Sequence, residues 1–189
     1  MRASGILLPI SSLPSAYGIG AFDQKAYEFV DILVRAGQRY WQILPMGPTG
    51  YGDSPYQSFS TFAGNPYFIS LDELVSNGYL TERDLLELKT AADERSVDYE
   101  QLYNTRFLML RKAFENSRIQ ENGEFQQFVS EHEAWLPDYA LFMAIKDSKG
   151  GQSFLEWEDD IKKRQPEALC KYRETFEHDM YFYMFLQFE

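Results

Sequence analysis

The chain has 189 residues, a net charge of −11, 44% hydrophobic and 16% aromatic residues, and a single cysteine, Cys170. The length is enough to bury a core, and the aromatic content excludes a disordered chain. The acidic balance argues against nucleic acid and against an anionic membrane surface, and one thiol excludes an internal disulfide. The apolar run Ile6-Leu7-Leu8 is too short for a signal-peptide core, and no stretch approaches the length of a membrane span, so a cytoplasmic protein is expected.

Gly5-Ile6-Leu7-Leu8 predicts a short buried strand, followed by a Ser-, Pro- and Gly-rich loop from Pro9 to Gly20. Asp23 is placed to cap a helix with Ala26, Phe29, Val30, Leu33 and Val34 at helical spacing, ended by Gly37. Tyr40-Trp41-Gln42-Ile43-Leu44 predicts a second strand, stopped by Pro45. Strand, helix, strand is a βαβ unit and implies a parallel sheet.

A long loop from Pro45 to Pro66 follows, with four Gly, four Pro and the rings of Tyr51, Tyr56 and Phe59. A loop of this length and composition is usually functional. Tyr67 to Leu71 is expected to be extended. Helices are expected from Thr81 to Lys89, from Tyr99 to Phe114 with Leu102, Phe107, Leu108, Leu110 and Phe114 on the apolar side, from Glu124 to Val129, from Pro137 to Lys146, and from Pro166 to the end. The run Met180 to Phe188 is apolar nearly all round, which predicts burial. It lacks a terminal cap, so the chain is expected to be truncated there, to fold marginally, and to leave this helix without its cover.

Several chemistries fail on the residues. Gly47-Pro48-Thr49-Gly50-Tyr51-Gly52-Asp53-Ser54 resembles a phosphate loop, but Asp53 stands where a lysine must meet the phosphates. Gly18-Ile19-Gly20 lacks the third glycine of a dinucleotide fingerprint, that position being Asp23. His132 and His178 have no partner at ligand spacing, so no metal is expected. Cys170 is expected to be a packed thiol rather than a nucleophile. What remains is the Tyr51–Pro66 loop, which pairs flat rings with short polar groups. Rings lie against the C–H faces of sugars, and hydroxyls and amides fix sugar hydroxyls. Packing of Tyr56 and Phe59 onto the body of the fold would account for the same residues.

Ser4-Gly5-Ile6-Leu7-Leu8, Ser12-Leu13-Pro14, Tyr17-Gly18-Ile19-Gly20, the run from Tyr40 to Ser58, and Phe62-Ala63-Gly64-Asn65-Pro66 together resemble the opening of the 4-α-glucanotransferase (amylomaltase, or disproportionating enzyme) family. Asp138-Tyr139-Ala140-Leu141-Phe142 and Trp157 follow in the family's order. Members commonly have His where this chain has Pro9.

The resemblance implies an α/β fold, the N-terminal part of an α-amylase-like (β/α)8 TIM barrel with a mostly helical insertion. Residues 1–66 would start the barrel, 67–165 would form the inserted subdomain, and 166–189 would begin the second barrel helix. It implies transfer of α-1,4-glucan segments between maltodextrins by a retaining double displacement, with no cofactor. The family's catalytic carboxylates match no acid of this chain, so no catalytic residue is assigned and the chain alone is expected to be inactive. A non-catalytic glucan-binding module is the alternative. Asp53 is expected to order its turn through Ser54 or backbone donors. Tyr56, with Ser54 beside it, resembles the tyrosine that stacks on donor sugar. Asn65 and Pro66 would shape the same wall or simply support the loop. Tyr51 and Tyr99 resemble a second glucan site, Tyr103 being the other candidate for the latter place.

Overall fold

The computed structural model describes residues 2–50, 52–86, 88 and 96–189. The chain divides into two compact units, residues 1–117 and 118–189.

In the first unit, β1 (Gly5–Leu7) and β2 (Tyr40–Gln42) pair in parallel, with Gly5 opposite Tyr40 and Leu7 opposite Gln42. The crossover between them is α1 (Gln24–Arg35), so the βαβ unit stands as predicted. Asp23 caps α1 by accepting the Lys25 N–H at 2.8 Å. Ala26 and Leu33 are buried, and Phe29 meets the Trp41 ring edge-on at 4.9 Å. The Trp41 indole N–H donates to the Leu8 carbonyl at 2.8 Å, which locks strand and helix into one small core with Ile10 and Leu13. Val30 and Val34 are exposed, as are Ile6 and Leu7 of β1, which was expected to be buried. Two strands lie about 4.8 Å apart, while a helix with its side chains is about 10 Å across, so this sheet covers only part of the apolar face of α1.

Tyr67 to Leu71 is not extended. Pro66–Phe68 forms a 3-10 turn capped by Asn65, and Leu71–Ser76 is a short helix, α2, capped by Ser70. Proline at a first helical position and Asn and Ser as caps explain this turn chemistry, which the apolar run concealed. Thr81 donates to the Asp84 carboxylate from its N–H (2.9 Å) and its hydroxyl (2.8 Å), and turns follow. Leu86 and Leu88 are helical, and residues 87 and 89 of the expected helix lie outside the described residues. Then α3 (Tyr99–Ser117) buries Leu102, Arg106, Leu110, Ala113 and Phe114. Leu108, expected on this side, is exposed, since it lies across the helix from that stripe.

The second unit holds α4 (Gly123–Glu131), α5 (Leu136–Ser148), α6 (Asp159–Lys162), α7 (Pro166–Thr175) and α8 (Glu177–Phe188). The helix expected to run unbroken from Pro166 is interrupted at Phe176. Nearby the Thr175 hydroxyl donates back to the Lys171 carbonyl at 2.8 Å, a contact that bends helices. The aromatic helix α8 does have a cover: it packs along α5 and against α4. Phe182, Tyr183, Phe185 and Leu186 of α8 are buried, as are Leu136, Ala140, Leu141 and Ile145 of α5. Phe125 and Phe128 of α4 each meet Phe188 at 5.6 Å. Asp138 pairs with Arg164 (2.7 Å) and Arg173 (3.2 Å), and Trp157 packs on Phe142 at 5.3 Å. Of the run Asp138 to Phe142 and Trp157, Tyr139, Ala140, Leu141 and Trp157 are buried in this core, while Phe142 is half-buried and Asp138 forms ion pairs at its surface. Cys170 is exposed rather than packed, and its thiol donates to Glu174 at 3.4 Å.

Candidate functional site

Parallel strands send their C-terminal ends to one edge of a sheet, so the loops after β1 and after β2 both leave from that edge. The first loop lines a cavity of about 630 Å³ whose walls include Ser15, Tyr17, Asp23, Asp72 and Ser96. There the Tyr17 hydroxyl donates to the Asp72 carboxylate.

The second loop is folded on itself by local bonds. The Asn65 N–H donates to the Met46 carbonyl at 2.8 Å and closes the base. A Cβ at Gly47 would come within 2.4 Å of the Ser58 hydroxyl oxygen and 2.9 Å of its Cβ, so only glycine permits this close pass. The Ser58 hydroxyl donates to the Ser60 carbonyl at 2.8 Å, and the Ser60 hydroxyl accepts the N–H groups of Phe62 (3.3 Å) and Ala63 (3.1 Å). Serine side chains replacing backbone partners in this way hold a loop without a strand or a helix.

Asp53 takes a left-handed backbone, φ 53°, and its N–H donates to the Gly50 carbonyl at 3.1 Å. Its carboxylate accepts no hydrogen bond among the described residues, contrary to the expected bond to Ser54 or a backbone donor. Partial burial pushes it above the usual carboxylate range. Its field reaches two phenols. Tyr67 is raised to about 12, first by burial and then by Asp53, and Tyr99 is raised by the same two causes. Tyr67 is the hub of an aromatic group: its ring lies 6.0 Å from Tyr99 and 5.7 Å from Phe107, and Phe107 lies 5.7 Å from Tyr103. Ile19, Tyr67 and Leu102 form the small core beneath.

Tyr56 is 73% exposed, so it does not pack the loop down. Ser54 is half-buried, and its carbonyl accepts the Gln57 N–H at 3.1 Å. Pro66 is buried, and Asn65 caps the 3-10 turn by accepting the Tyr67 N–H at 3.0 Å, so both support the loop's end. Tyr51 lies outside the described residues. Tyr99 is half-buried against Tyr67, whereas Tyr103, one helical turn on, is 61% exposed. Two residues escaped the reading of the sequence. Tyr67 was hidden in an apolar run. Arg106 was detectable as a charge four residues from both Leu102 and Leu110, inside an apolar stripe.

The 4-alpha-glucanotransferase family model matches residues 8–189. The chain belongs to the 4-alpha-glucanotransferase family. It is 46% identical over 180 residues to a 4-alpha-glucanotransferase of Clostridium butyricum, which covers 95% of this chain and 37% of that relative. A 4-alpha-glucanotransferase of Thermus thermophilus is 42% identical over 190 residues, with 98% of this chain and 37% of the relative covered. Among solved structures, the amylomaltase of Streptococcus agalactiae in complex with acarbose superposes with a TM-score of 0.94 at 41% identity, covering 100% of this chain and 38% of that one. The chain therefore spans little more than a third of the length of these 4-alpha-glucanotransferase relatives. Among the described residues no helix is long and apolar enough to cross a membrane.

Proposed function

We propose that this chain forms part of the glucan-binding face of a 4-alpha-glucanotransferase, which cuts an α-1,4 bond in one maltodextrin and passes the glucanyl piece to the 4-hydroxyl of another. The observation that carries the reading is the self-bonded Pro45–Pro66 loop with Tyr56 projecting from it, in a chain of this family. An exposed ring on a loop held by its own hydrogen bonds has its stacking face open to a sugar.

In this reading β1, α1 and β2 open an α-amylase-like (β/α)8 barrel within residues 1–66. Residues 67–165 form the inserted subdomain, and 166–189 begin the second barrel helix. The loops after β1 and β2 then stand on the barrel's active face. Tyr56 stacks on donor sugar with Ser54 beside it, while Asn65 and Pro66 shape the wall. A second glucan contact lies at Tyr51 together with Tyr99 or Tyr103, and the exposure of Tyr103 favours it as the stacking ring. Cleavage is a retaining double displacement. One carboxylate forms the covalent glycosyl-enzyme, and a second protonates the leaving oxygen and then activates the acceptor hydroxyl. Those carboxylates belong to sequence outside this chain, and α-1,4-glucans are its partners.

The test exchanges this chain for the matching segment of the Clostridium butyricum relative and supplies maltotriose to the chimera and to the chain alone. Glucose and longer maltodextrins from the chimera only are expected. Products from the chain alone would place a catalytic carboxylate within residues 1–189. Sugar binding by the chain beside an inactive but folded chimera would favour a binding module. In an active chimera, Tyr56→Ala is expected to lower kcat/KM by about tenfold, the worth of one good stacking contact. An unchanged kcat/KM would remove Tyr56 from the donor site.

A further inference from the structure

Arg106 sits in the middle of the buried stripe of α3, between Leu102 and Leu110, and is 1% exposed. A leucine or methionine would fill that place without taking a charge out of water. No carboxylate forms an ion pair with it among the described residues. Burial lowers the guanidinium to about 10, while Asp23, Tyr67 and Tyr17 act the other way, so it is a cation at neutral pH. Its Nη2 donates to the Ile69 carbonyl, and its Nε has no partner among the described residues.

Ile69 lies between the Pro66–Phe68 turn and Ser70, the cap of α2. Its carbonyl is thus the joint between the end of the sugar-facing loop and the next helix. Tyr67, two residues earlier, leans on Phe107, and Phe107 carries the exposed ring of Tyr103. Backbone clamp and ring contacts therefore join the same two segments at adjacent points.

We propose that Arg106 is a positioning residue for glucan binding: by holding the Ile69 carbonyl it seats Tyr67 against Phe107 and so orients the Tyr103 ring for stacking on a sugar. The proposal rests on the reading of Tyr103 as a glucan contact. It explains why a costly buried charge occupies a core position, since an apolar side chain could fill the space but could not grip a carbonyl.

The experiment titrates this chain with maltoheptaose by calorimetry in a double-mutant cycle. Tyr103→Ala is expected to weaken binding by about tenfold. Arg106→Met, which keeps the stripe filled, is expected to melt no lower than the parent yet bind several-fold more weakly. Arg106→Lys, which restores a cationic donor, is expected to recover most of that loss. The double variant Tyr103→Ala with Arg106→Met is expected to bind no worse than Tyr103→Ala alone, because the clamp acts through the ring. A merely structural role predicts losses that multiply, and that result, or full affinity in Arg106→Met, would overturn the proposal. If Tyr103→Ala binds normally, the glucan reading of Tyr103 fails first and the proposal falls with it. Should Arg106→Met not fold, Arg106→Gln takes its place in the cycle with the same expected coupling.

Discussion

Gly20→Ala is expected to destabilise the chain by about 3 kcal/mol, at the upper end of what forced overpacking costs. A Cβ at Gly20 would lie 2.1 Å from the Ile10 carbonyl oxygen and 2.8 Å from both the N and the O of Leu13. All three obstacles are backbone atoms, so no side chain can rotate away. The Gly20 N–H also donates to the Ser11 carbonyl at 3.1 Å, which ties the two arms of this loop together. Making room for a methyl would mean opening the turn at Ile10 and Leu13, both buried beside Ala26. A few kcal/mol is a large fraction of the roughly 5–15 kcal/mol that holds a domain folded. Urea unfolding followed by circular dichroism reads the loss directly. A shift below about 1 kcal/mol would mean that the loop can spread at little cost.

Phe185→Ala is expected to cost about 3–5 kcal/mol, the usual range for deleting a fully buried ring. Phe185 is completely buried on α8, the helix that packs along α5. Phe182, Tyr183 and Leu186 of the same helix are nearly as deep, so this stretch of α8 is buried on several sides and a ring removed from it leaves a space closed to water. The same urea experiment tests this. A small loss would show that α8 peels from α5 in the native state, which is the marginal folding that the apolar run suggested before its cover was visible.

Much of the fold was legible because local chemistry and tertiary structure agree there. Asp23 as a cap, the helix that follows it and the strand after Gly37 all obey short-range rules, and all stand in the structure, although Val30 and Val34 of the expected apolar face are exposed. The extended reading of Tyr67 to Leu71 failed because Asn65 and Ser70 supply caps whose effect depends on which backbone N–H they meet. The break at Phe176 failed for a related reason: no glycine or proline marks it, only a threonine bonding backwards. Burial was the least legible property. Leu108 is as apolar as Leu110, but the stripe turns it outward, while Arg106 goes inward because a carbonyl waits there.

At the candidate site, the sequence pointed to the loop but not to how it is held. Tyr56 could equally have been a packing ring, and only its exposure separates the two. Asp53 was expected to bond with its neighbours. Its charge acts instead on the phenols of Tyr67 and Tyr99, which belong to two other segments, a coupling no spacing rule encodes.

Trp41 gives the molecule a built-in optical reporter. The chain has three tryptophans, and the other two, Trp135 and Trp157, lie in the second unit. The Trp41 indole is bonded to Leu8 at the mouth of the first loop and rests on Phe29. Its emission colour therefore follows the joint between strand and helix, and phenylalanine at positions 135 and 157 would leave that signal unmixed. A red shift during unfolding would then time the opening of the first unit alone, while circular dichroism records the helices of both.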